Sequence, residues 1–219
     1  MKNLIFLFSF IFLWSCNKGP KEIPDYEQTD QNIAIKNALN VPVGKLGVYI
    51  YIDSIGIFQS DKKAFDTNQT KKLSTELQSI YSNLKLDSIV TSNTIEFLSN
   101  HNKEFVILDQ QNTFFDKRLM NGNIKSIDFS TFKPKEKVDD LLFIALKSGI
   151  NYNRNKEIDG KTDIYLAVVD YKTHQLKYNE VISGSKYLDQ KDFPNKTDYL
   201  KNLMLQSVET TIDLIQSTK

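Results

Sequence analysis

Cysteine is almost missing from this chain: Cys16 is the only one in 219 residues, so no internal disulfide can form and stability must come from packing. Histidine is nearly as scarce. His101 and His174 are the only two, and neither has a partner at metal-ligand spacing, which leaves a zinc site without enough nitrogen or sulfur donors. An excess of one charge is lacking as well: 28 Lys and Arg stand against 27 Asp and Glu. A balance of that kind excludes the concentrated basic footprint of a nucleic-acid binder. Even the lysine-rich stretch of Lys133, Lys135 and Lys137 is interrupted by Pro134 and Glu136. No internal repeat recurs, and no Gly-x-Ser-x-Gly elbow signals a nucleophilic serine.

What is present begins with an apolar leader. Met1-Lys2-Asn3 is positively charged, residues 4–14 are apolar except for Ser9, and Leu13-Trp14-Ser15-Cys16 closes the run. That run is too short to cross a bilayer, which takes about 20 helical residues, but it suits the h-region of an export signal. The segment resembles a bacterial lipoprotein signal, whose lipobox places Leu three residues before the cysteine and a small residue directly before it. Leu13 and Ser15 occupy those positions. The resemblance implies cleavage before Cys16, a diacylglyceryl group on its thiol, and acylation of the new amino terminus by a fatty acid such as palmitate. Asn17 stands where inner-membrane retention signals often carry Asp, which implies the outer membrane. Whether the domain faces the periplasm or the cell surface stays open.

The expected organisation is therefore a signal over 1–15, a lipidated N-terminus and flexible tether over 16–42, and one globular domain over 43–219. Pro20 and Pro24 break any helix in the tether, and 33–39 is expected to form a short helix or docking segment. The domain starts with a β-branched and aromatic run, 46–52, that predicts a buried strand. Asp66 can cap the next element, in which Leu73, Leu77, Ile80 and Leu84 recur at helical spacing. A second, shorter helix is expected over 93–100 and a short strand over 105–108. The region 112–137, with Phe114, Phe115, Phe129, Phe132 and the turn signal Asn121-Gly122, should hold a short helix or hairpin.

From residue 141 the pattern predicts a three-strand meander: 141–152, a polar turn over 153–160, then 162–170, a turn at 172–174, and 175–183. A closing helix from about Thr197, taken as its cap, would bury Leu200, Leu203, Met204, Val208, Thr211, Ile212 and Ile215. Together these elements predict an α+β domain, a mixed sheet ending in a three-strand meander with helices packed on one face.

Two short motifs fail on their own terms. Gly160-Lys161-Thr162 has the tail of a phosphate-binding loop, but Asn155 replaces the required earlier glycine and a strand follows instead of a helix. The stretch 151–155 lacks the calcium-loop glycine, with Lys156 at the sixth position and Thr162 at the twelfth. The acidic constellation is more informative: Asp53, Asp109 and Asp170 each end an apolar strand run. Converging at strand carboxyl ends, they could hold a divalent cation. Alternatively, each aspartate ends a strand and starts a turn through its own hydrogen bonds.

In its order of elements the body resembles a fold shared by the curli-secretion lipoprotein, the lipoprotein activators of penicillin-binding proteins and the amino-terminal domain of the Tol-system β-propeller protein. The likeness is carried by Lys103-Glu104-Phe105-Val106-Ile107-Leu108-Asp109 and by Val168-Val169-Asp170-Tyr171-Lys172-Thr173, with His174 where that group has a turn glycine. It spans about residues 46–215 and implies no common chemistry. The expectation for function is a non-catalytic envelope lipoprotein anchored to the outer membrane, with Cys16 as its lipidation site and no catalytic, cofactor or metal residue. Its partners would be the membrane, through the lipid, and an envelope protein or further copies of itself, with no nucleic acid. The alternative is a lipid-anchored hydrolase of envelope or nutrient polymers using carboxylates such as Asp53 and Asp109. Carboxylates clustered in a pocket would favour the enzyme, and carboxylates spread over strand ends the binding module.

Overall fold

The computed structural model describes residues 44–52, 56–59, 67–108, 127–152 and 158–216. Cys16, the tether, Asp53, Asp66, Asp109, Phe114, Phe115 and the Asn121-Gly122 turn lie outside the described residues. Strand β1 (Leu46–Ile52) lies where the β-branched run places it. It is followed by β2 (Gly56–Gln59), α1 (Thr67–Tyr81), α2 (Leu86–Asn100) and β3 (Phe105–Ile107). The C-terminal half contains β4 (Asp140–Tyr152), β5 (Ile158–Asp170), β6 (Leu176–Lys186) and α3 (Lys196–Gln216).

The strands form one mixed sheet in the order β3-β1-β4-β5-β6, with β2 also pairing β4. β1 runs parallel to β3 and β4, whereas the β4-β5-β6 meander is antiparallel. This is the expected α+β class. A parallel β1–β3 pair needs a crossover, and α1 and α2 supply it. β2 continues along β4 beyond β1: Ile52 faces Leu146 and Gly56 faces Gly149. A four-residue strand is too short to show an alternation of its own, which is why the sequence conceals it.

Period-two alternation splits the sheet into two faces. Leu46, Val48 and Ile50 of β1, Leu142, Ile144 and Leu146 of β4, and Ile164, Leu166 and Val168 of β5 join the helices in the larger core. Leu73, Leu77 and Ile80 of α1 and Leu200, Leu203, Met204, Val208 and Ile212 of α3 meet them there. The side chains of Thr211 and Ile215 fall outside those described. Tyr49, Leu141, Phe143, Ala145, Ala167 and Val169 face the other way, into a smaller cluster with Phe129, Phe132 and Val138. Part of the expected helix-or-hairpin region thus covers the second face, as a 3-10 turn at Phe129–Thr131 whose entry Asp128 caps by accepting from Ser130 N at 3.0 Å.

Several boundaries differ from the sequence reading, each for a local reason. α1 ends at Tyr81, so Leu84 is buried from a turn instead of from the helix. α2 starts seven residues before the expected 93, at Leu86. Its buried stripe of Leu86, Val90, Thr94, Phe97 and Leu98 includes a threonine that hides the period. Thr94 is tolerated because its hydroxyl donates to the Val90 carbonyl at 2.7 Å. β3 stops at Ile107, leaving Leu108 buried just beyond it. The helix cap is Asn195, not Thr197. Asn195 Oδ1 accepts from Asp198 N at 2.9 Å, and its amide donates back to the Asp198 carboxylate at 2.7 Å.

The largest correction concerns the polar turn expected over 153–160, because Ile158, Asp159 and Gly160 are strand. Gly160 reads as turn punctuation, yet it is glycine because α3 passes directly over it. A Cβ at this position would lie 2.4 Å from the Leu203 carbonyl oxygen. Beside this close approach the interface carries three hydroxyls. Thr162 Oγ1 lies 3.1 Å from Ser148 Oγ and 3.0 Å from Ser207 Oγ, and Ser207 donates to the Met204 carbonyl at 2.8 Å. All three residues are buried, and the chain of hydrogen bonds offsets their desolvation. The same placement removes the phosphate-loop reading, since Gly160, Lys161 and Thr162 all lie within β5.

Candidate functional site

Of the three strand-end aspartates only Asp170 lies among the described residues, and it stands apart from the carboxyl ends of β1 and β3. Asp140 pairs with both Leu46 and Asp170, so Asp170 lies at the end of the sheet where β1 starts. Ile52, the described residue before Asp53, lies at the far end of β1, about 20 Å away at the usual rise per residue. β3, the strand before Asp109, lies three strands from β5, about 14 Å across the sheet. Metal–oxygen bonds of about 2.0–2.6 Å cannot bridge such gaps, so Asp170 is not part of a common cation site. Among the described residues no group of three His, Cys, Asp or Glu side chains could hold a metal ion.

Asp170 serves two local purposes instead. It closes the β5–β6 turn by accepting from Thr173 N at 2.8 Å, as the turn alternative anticipates. Its other oxygen lies 3.0 Å from Lys177 Nζ. The Thr173 amide and then the Lys177 ammonium hold its carboxyl down at about 2. Lys177 also donates to Asp140 Oδ1 at 2.6 Å, and Asp140 is 1 % exposed. Sequence patterning gives no sign of this triad, because the position of Lys177 depends on a β-bulge. Val169 faces Leu176 and Val168 faces Tyr178, so Lys177 is the extra residue between them and its side chain is re-aimed. The hydrogen bond to Asp140 is the main reason that its pKa is raised, against partial desolvation. A lysine held in the ammonium form is the opposite of an amine lowered for nucleophilic or base chemistry. The triad ties the ends of β4, β5 and β6 together.

The two histidines lie in different places and do not come together. His101 Nδ1 lies 2.8 Å from the Phe97 carbonyl at the end of α2, with its ring against Phe97. His174 sits exposed in the β5–β6 turn with φ 58, a left-handed conformation that strains a residue with a Cβ. His174→Gly is therefore expected to stabilise the domain by about 0.5–1 kcal/mol, after allowing for glycine's extra freedom in the unfolded chain. Thermal melts of the two proteins would show it as a rise in Tm of roughly 1–4 °C. An unchanged or lower Tm would mean that the turn carries no such strain.

Two surface features remain. An open groove of about 840 Å³ between α1 and the start of α3 is lined by Lys71, Lys72, Glu76, Ile80 and Lys196, among others. Its lysines do not make it an anion site. Lys196 is paired with Glu76 at 2.8 Å, and Asp198 adds a negative charge to the first turn of α3. The second feature is the outer face and free edge of the meander. Phe58 lies beneath Lys147 and Lys161, whose Nζ atoms are 5.1 Å and 4.9 Å from its ring centre. Nearby, Asp163 accepts from Ser183 at 2.6 Å. Among the described residues β6 borders only β5, so its far side offers backbone donors and acceptors along 11 residues. Val181 is 42 % exposed and Tyr187, one residue past the strand, 48 %. They are two of the three exposed large hydrophobic residues among those described, the third being Ile95.

No family model matches the chain, and no curated protein matches it either. Similar solved structures include lipoprotein GNA1162 from Neisseria meningitidis, at 12% identity and TM-score 0.32, covering 76% of this chain and 97% of that one. Another is the LpoB C-terminal domain from Salmonella enterica, at 10% identity and TM-score 0.22, covering 74% of this chain and 100% of that one. A bacterial lipoprotein is thus among the solved structures similar to this chain.

Proposed function

We propose that this protein is a cell-envelope lipoprotein, held at the outer membrane through acylated Cys16, whose α+β domain acts as a non-catalytic binding or assembly module. The observation that carries the binding role is β6. A long edge strand with exposed Val181 beside exposed Tyr187 is a surface suited to strand pairing with another polypeptide. The leader ending at Leu13-Trp14-Ser15-Cys16 supports the anchor. Asp170, held by the Thr173 amide and Lys177 at the opposite end of the sheet from Ile52, is not free to serve as a third carboxylate for the hydrolase alternative.

In-cell crosslinking with a photoreactive residue at Val181, followed by mass spectrometry, tests this reading. The expected result is a discrete protein adduct at β6 in the membrane fraction. Absence of any adduct there, together with cleavage of an envelope polymer by the purified full-length protein, would replace it with the hydrolase.

A further inference from the structure

We propose that β6 pairs antiparallel with β6 of a second copy of this chain about a two-fold axis at Ser183. The inference rests on the assembly reading above and specifies the partner. A two-fold axis makes each residue of the strand face a fixed partner, and faces are conserved only in registers that keep outward residues opposite outward ones. Among these registers, the one centred on Ser183 brings Glu180 opposite Lys186 twice, once on each side of the axis. Glu180 is exposed and Lys186 half-buried, and neither forms an ion pair among the described residues. Centring on Ile182 would set Glu180 against Gly184, and centring on Val181 would set it against Ile182.

The outer face gives a second, independent match. With Ser183 on the axis, Val181 faces Ser185 and lies diagonal to Tyr187 of the other copy. Aromatic side chains reach such diagonal neighbours. One register therefore covers both exposed apolar side chains at this edge and pairs both charges. An edge strand guarded against association carries charges too, but guarding requires no complementarity between them. Anchoring in one leaflet would also raise the effective concentration of copies, so a short pairing surface can suffice.

The test uses the full-length protein in membranes, treated with a mild oxidant. Ser183→Cys should form a disulfide-linked dimer with itself, since facing Cα atoms in an antiparallel pair lie about 4.5–5.5 Å apart. Val181→Cys and Ser185→Cys should each link poorly alone but strongly when the two are coexpressed, a readout that leaves the Ser183–Asp163 hydrogen bond intact. Glu180→Lys and Lys186→Glu should each reduce dimer about tenfold, because two attractive contacts become repulsive. The doubly reversed chain should recover it. Unaffected dimer in the single reversals, or linkage in a different register, would overturn the proposed pairing. If no variant dimerises while Val181 still captures a different envelope protein, the second copy is excluded and the binding module stands. If β6 captures nothing at all, both fall.

Discussion

Leu203→Asp should leave the chain unfolded at ambient temperature, without the cooperative melt of the parent. Leu203 is 0 % exposed, and its carbonyl oxygen lies against Gly160, so α3 has no room to rotate the new carboxylate into solvent. The loss has two parts. Removing a buried leucine side chain costs about 2–5 kcal/mol. A buried carboxylate must also either stay charged without a partner or take up a proton, at about 1.4 kcal/mol for each unit its pKa rises. The sum rivals the roughly 5–15 kcal/mol that holds a typical domain together. Leu77→Asp, on α1 and equally buried, should behave alike. Lys201→Asp, at an exposed site on α3, should change stability by no more than about 0.5 kcal/mol. Circular dichroism melts of the three variants provide the measurement, and ordinary transitions for both leucine variants would show that the helix faces are misassigned.

Cys16→Ala should abolish incorporation of labelled fatty acid and move the protein from the membrane to the soluble fraction. Burial of an acyl chain contributes about 0.8 kcal/mol per methylene, yet one chain alone binds only marginally. Several chains on one residue make release negligible, so loss of their single attachment point should change partitioning almost completely. Among the described residues no helix is long and apolar enough to cross a membrane. Labelling and fractionation are separate readouts: a protein that loses its label but stays bound would locate attachment elsewhere. Unchanged labelling would remove the anchor from the functional reading altogether.

The sequence shows best what depends on nearby residues. Leu73, Leu77 and Ile80 mark the inner face of α1, and Leu200, Leu203, Met204 and Val208 that of α3, because a helical period repeats within a few turns. β1 and β4 are legible as continuous apolar runs buried on both faces, and β5 by its alternation of Ile164, Leu166 and Val168. Legibility fails where a residue serves a distant neighbour. Thr94 interrupts the α2 stripe yet satisfies itself on Val90. Gly160 looks like a turn and is a contact with α3.

The candidate site follows the same division. The expectation of a lipid anchor at Cys16 rests on a handful of adjacent residues. The strand-end aspartates are locally equivalent, and only the antiparallel register sends Asp170 to the opposite end of the sheet from Ile52. Lys177 gives no local signal, because one extra residue in β6 turns it toward Asp140 and Asp170. Sequence alone determined the α+β class, the two main amphipathic helices, the meander and the expectation of a lipid anchor, since periodicity and short motifs act over a few residues. Tertiary structure decided which carboxylates meet, why Gly160 must be glycine and that β6 borders only β5 among the described residues. Those outcomes depend on pairing between segments tens of residues apart, and no local pattern encodes it.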